Sequence, residues 1–201
     1  MPLGAFKAAL MGTAGVSTGD VVLLHDTDYS NAASASITSG ITSTYGEYIF
    51  KFYNINAATN SAQFTFQCNA TDSTSYDETI TSTFFRTKHF EDDSGTPVIN
   101  YETGSDQAQG TGYQTIASSN YNAADASSAG ELHLFAPSST TYVKQWMAHF
   151  SASSYDASEI PYNQELHSAG YINTTTAIDD IQFKMSSGNF DGTIKMFYIS
   201  S

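Results

Sequence analysis

The chain has 201 residues, is 40% hydrophobic, and sets 7 Lys plus Arg against 20 Asp plus Glu for a formal net charge of −13. That length suits one large domain with a real core, and the acidic balance repels duplexes and anionic bilayers, which sets aside nucleic acid and membrane surfaces as partners. Charged residues make up only 13%, against roughly 25% in an average domain, so the polar surface falls to Ser, Thr, Asn and Gln, as in extracellular or particle-bound β proteins.

Residues 1–19 differ from the rest. Pro2, Gly4, Gly12, Gly15 and Gly19 punctuate small apolar residues. Lys7 interrupts the apolar run, and Ala8–Met11 is too short for the apolar region of a signal peptide. The segment therefore reads as an N-terminal arm of the mature chain, with Pro2, Leu3, Phe6, Leu10 and Met11 as the residues that would contact a neighbouring subunit. A frayed tail is the alternative, since termini are ordered only when tied down. Residues 20–201 read as a single domain.

From Val21 the apolar period is two. Val21–Leu24 is a short apolar strand. Tyr48, Phe50 and Phe52 alternate with Ile49, Lys51 and Tyr53, and Phe64, Phe66 and Cys68 alternate with Thr65, Gln67 and Asn69. Ile80–Phe90 is a long candidate with Phe84 and Phe85 on opposite faces. Leu132 and Leu134 alternate with His133 and Phe135. In 142–151, Lys144, Trp146, Ala148 and Phe150 share one side, with Gln145, Met147 and His149 on the other. Ile181, Phe183 and Met185 precede a last strand, in which Gly192 opens the run Ile194, Met196, Tyr198. Turn-formers fill 54–61, 70–76, 92–97, 104–112, 118–128 and 151–164. No window carries a helical apolar period. Many short strands, long polar loops and no helix predict an all-β fold: an antiparallel, jelly-roll-like β-sandwich. Gly130–Phe135 and Gly192–Phe197 share the pattern Gly-x-apolar-x-apolar-Phe, which is read as a recurrent strand opening because strands reuse the same residue types.

No motif for chemistry passes its context test. His25-Asp26-Thr27-Asp28 begins like a calcium loop, but Asn31 stands where Gly is needed and Ile37 where the closing Glu is needed. His89 and Glu91 could share a strand face as a divalent-cation pair, but with Asp92 and Asp93 the stretch is read as a solvated acidic loop. Gly110-Thr111-Gly112 lacks the third glycine of a dinucleotide loop. Glu47 and Glu131 both lie near strand starts, but two acids drawn from 20 carry no weight as a glycosidase pair. The single cysteine, Cys68, excludes an intrachain disulfide and reads as a buried apolar residue. His133, His149 and His167 are isolated in sequence, and only folding could join them. The expectation is a non-enzyme, with no catalytic residue, no metal ligand and no cofactor. Tyrosines among small polar residues build adaptable contact surfaces, which marks Tyr113, Tyr121, Tyr155 and Tyr162 as candidate surface-binding aromatics.

The runs Gly46–Ile55, Phe84–His89, Tyr142–Lys144, Ala169–Thr175, Ile178–Phe183 and Ser187–Lys195 resemble a group of β-sandwich virion structural proteins of tailed bacteriophages, many from marine hosts. The resemblance covers most of the chain after residue 20 and consists of strand patterns, with no site motif to transfer. It implies a capsid decoration or cement protein on the virion surface, with copies of itself as a homotrimer and the major capsid protein as partners. The alternative it implies is a tail-fibre or tail-associated module that binds a receptor or host surface glycan.

Overall fold

The structure, a computed structural model, describes residues 21–155 and 160–199. The predicted arm residues Pro2, Leu3, Phe6, Leu10 and Met11 lie outside them. The described residues form thirteen strands: β1 (Val21–Ala32), β2 (Ala35–Ile37), β3 (Glu47–Ala57), β4 (Ala62–Ala70), β5 (Ile80–Phe90), β6 (Val98–Tyr101), β7 (Ala108–Gly110), β8 (Gln114–Asn120), β9 (Ser128–Phe135), β10 (Lys144–Tyr155), β11 (Pro161–Ile172), β12 (Ile178–Met185) and β13 (Phe190–Ile199). A nine-stranded sheet runs β1-β13-β3-β9-β10-β11-β5-β6, with β7 also on β5, and a four-stranded sheet runs β2-β12-β4-β8. Neighbouring strands are antiparallel. The fold is an all-β sandwich, as the two-residue period dictates.

The chain alternates between layers. β1, β3, β9 and β13 belong to the large sheet, and β2, β4, β8 and β12 to the small one. Their orders, β1-β13-β3-β9 and β2-β12-β4-β8, put the first and last strands side by side. The excursions β5–β7 and β10–β11 extend the large sheet beyond this eight-strand frame.

The core forms where the inner faces meet. Tyr48, Phe50 and Phe52 of β3, Phe64 and Phe66 of β4, Phe150 of β10, Phe183 of β12 and Phe190 of β13 are fully or almost fully buried. Phe183 stands 5.0 Å from Phe52 and 5.4 Å from Phe50 between ring centroids, so the two sheets interdigitate through aromatic rings. Such pairs contribute beyond their buried area. Tyr48 keeps its hydroxyl satisfied by accepting from the Thr42 N–H at 2.7 Å. Gly130 lies opposite Phe52 and Phe150. A Cβ there would stand 2.3 Å from the His149 carbonyl oxygen, so this glycine is needed for close approach.

Several strands were not legible as strands. β1 extends through the calcium-loop-like stretch as far as Ala32, where Asp26 pairs with Lys195 at 2.8 Å across the sheet. β8 and β11 occupy parts of segments read as loops, 118–128 and 151–164. Their inward side chains include polar ones, which hides the period. Buried Gln164 of β11 donates to the Ser118 carbonyl at 2.7 Å, and buried Gln114 of β8 donates to the Ser105 carbonyl at 2.9 Å. Gln67 of β4 behaves alike, donating to the carbonyls of Glu78 and Gly112, so the loops carrying them cover the outer side of the small sheet.

Lys144 is the most unusual inward residue. It is fully buried on the face it shares with Trp146, and its Nζ donates to the carbonyls of Tyr142 and Thr174 at 3.1 and 2.9 Å. Burial pulls its pKa below the ordinary lysine range, and the Glu78 charge opposes that shift.

Candidate functional site

The outer face of the large sheet gathers what chemistry the described residues offer. In β10, residues opposite Trp146 and Phe150 must face outward, which presents Met147 and His149. In β11, the residues alternating with inward Gln164, Leu166 and Ser168 are Glu165, His167 and Ala169. Antiparallel register sets His149 directly against His167, and His167 against Phe85 of β5. The same register row continues through Glu131, Lys51, Lys195 and Asp26 to the far edge, and through Tyr101 at the other.

One half of this row is ionic. Lys51 meets Glu131 at 3.1 Å and Lys195 meets Asp26 at 2.8 Å. Burial alone would raise the Glu131 carboxyl. Hydrogen bonds from Lys51 and His133, with their charges, win and hold it below the usual carboxylate range. His133 bridges two acids, with Nδ1 2.6 Å from Glu47 and Nε2 3.4 Å from Glu131. The fold thus sets the two carboxylates first weighed as a catalytic pair on either side of an imidazole.

The other half is aromatic. The Phe85 and His167 rings stack at 4.9 Å and 10°, and the His167 and His149 rings at 4.2 Å and 13°. Glu165 closes the group: its Oε1 is 2.8 Å from His149 Nε2 and 3.8 Å from His167 Nε2. A groove of about 350 Å³ runs along this face, lined by Phe85, His133, Met147, His149 and His167 among others. Phe85 and Met147 are nearly half exposed there, and Ile99 and Tyr101 of β6 more so.

The tyrosines singled out from sequence do not converge. Tyr162 is buried at 4% exposure and packs on Phe90 at 5.7 Å, so it is withdrawn as a surface-binding residue; as the neighbour two before Gln164, it shares the inward face. Tyr113 is half-buried on the small sheet, donating to Gln182 beneath the Lys184 ammonium. Tyr121 and Tyr155 do meet, with centroids 4.8 Å apart, beside Asp125. His89 and Asp93 stay exposed, 3.5 Å apart, at the end of β5.

Three residues of the outer face carried a usable signal. Glu165-x-His167 is an i, i+2 pair that a strand puts on one face, and His149 sits in a clean alternation. What sequence lacked was the register joining them. No family model matches the chain, and no similar curated protein or solved structure was found in the comparisons.

Proposed function

We propose that this chain is a structural protein of a tailed-bacteriophage virion, a decoration or cement protein that assembles as a homotrimer on the capsid surface and contacts the major capsid protein. The reading begins from the resemblance of its strand patterns. It is supported by a jelly-roll reading of the winding: eight strands alternate between layers in the orders β1-β13-β3-β9 and β2-β12-β4-β8, an arrangement common to capsid and lectin domains. Fold alone does not assign function. The observation that carries the proposal is the outer face of the large sheet, where Phe85, Ile99, Tyr101 and Met147 expose apolar area in neighbouring positions. Exposed apolar patches of this kind mark protein contacts, and symmetric repetition on a lattice lets each contact be modest.

The test is reconstitution. Purified full-length chain is mixed with capsids that lack it, and attachment is followed by sedimentation and electron cryomicroscopy, with the oligomeric state measured by light scattering. Trimers that dock on capsids, and that lose docking when residues 1–19 are removed, support the reading. Monomers that ignore capsids but bind a glycan array refute it and favour the tail-fibre receptor-binding alternative.

A further inference from the structure

We propose that His149, Glu165 and His167 form a binding site for one divalent transition-metal ion of the zinc class on the outer face of the large sheet. The donor atoms of the three side chains all lie within 4.8 Å of one another. Both Nε2 atoms face the same carboxylate oxygen, at 2.8 and 3.8 Å. Two imidazoles and one carboxylate are a donor set suited to first-row divalent ions and not to calcium or magnesium, which take oxygen ligands. The acidic chain, at −13, attracts cations.

The geometry needs only side-chain movement. At metal–ligand bonds of about 2.0–2.2 Å, tetrahedral donors stand about 3.3 Å apart, so the widest gap closes by about 1.5 Å. His149 and Glu165 are nearly half exposed and His167 about a third, so their rotation disturbs no core contact. With the two rings near-parallel, at 13°, and their centroids 4.2 Å apart, the in-plane lone pairs of both imidazoles cannot point at one ion. Binding therefore unstacks them. Three protein ligands leave a fourth position open toward solvent, above the groove beside Phe85 and Met147, where water or a donor from a partner would complete the shell.

The experiment is titration of the full-length chain with Zn²⁺ alone, by calorimetry at neutral pH, with imidazole NMR signals followed in parallel. The expected result is one ion per chain, displacement of the His149 and His167 signals together, and loss of affinity by at least about tenfold in His149→Ala, His167→Ala and Glu165→Gln. All three variants alter side chains that are at least partly exposed, and their thermal melts report whether the fold is intact. His25→Ala and His89→Ala should bind as the parent does, and Ca²⁺ should not compete. Absence of stoichiometric binding, or binding that survives in the His149→Ala/His167→Ala double variant, overturns the proposal. Because the measurement uses the isolated chain, its outcome is independent of whether the protein attaches to capsids.

Discussion

Phe183→Ala tests whether the two sheets are held by interdigitated rings. Phe183 projects from the small sheet, is fully buried, and has ring centroids 5.0 Å from Phe52, 5.4 Å from Phe50 and 6.1 Å from Phe64. Losing the ring forfeits about 2 kcal/mol of transfer free energy. If about 80 Å³ stays open, the cavity adds about 2 kcal/mol at ~24 cal/mol per Å³. The total, about 4 kcal/mol, should lower the melting temperature by about 8–16 °C for a chain of this size. Urea unfolding followed by circular dichroism gives the free energy directly, and an unchanged slope would show that only stability moved. Phe85→Ala, on the outer face at 42% exposure, is the contrast and should cost under about 1 kcal/mol. If Phe183→Ala cost no more than Phe85→Ala, the rings would not be holding the layers together and the packing argument would fail.

Three further outcomes follow from named contacts. The lowered pKa of buried Lys144 means that the unfolded chain binds more protons between that value and the ordinary ~10.4, so stability gains from this residue as pH rises through that window. The stability difference between wild type and Lys144→Met, measured by urea melts at neutral and alkaline pH, should therefore move in favour of wild type as pH rises; a constant or reversed difference would contradict it. Cys68 is fully buried and its thiol is pushed well above the usual range by burial, with the Glu78 charge adding to it, so a disulfide reagent should label it only at the rate of unfolding, and rapid labelling of native protein would refute its burial. Gly130→Ala should destabilise by about 1–3 kcal/mol through overpacking, because its Cβ would fall 2.3 Å from the His149 carbonyl oxygen and 2.6 Å from the Phe150 ring, whereas Gly104→Ala meets nothing within 4 Å and should leave the thermal melt unchanged.

The repeated openings at Gly130 and Gly192 show how far pattern can go. They introduce β9 and β13, which flank β3 on its two sides. Both border an irregularity in the pairing with β3, yet Gly192 adopts φ +145° beside Asn54 and Ile55, while Gly130 has no positive φ and is needed for close approach to the His149 carbonyl and the Phe150 ring. Similar letters serve different backbone needs.

Alternation of large apolar and polar residues was enough to determine the class of fold, the shared faces of β3, β4, β10 and β12, and the burial of Cys68, because pleating sends neighbours to opposite faces whatever the rest of the chain does. It failed at β8 and β11, where inward Gln114, Gln164 and Ser168 have the look of surface residues, although the amide groups of Gln114 and Gln164 donate to carbonyls from other segments. It failed for Tyr162 for the same reason. The histidine–glutamate group needed more still: residue 149 reaches 165 and 167 through the β10–β11 register, and Phe85 joins them from a strand some eighty residues earlier in the chain. Pairing across a sheet is a contest between whole strands for shared hydrogen bonds and a common core, so which outward side chains become neighbours is decided only when the layers close.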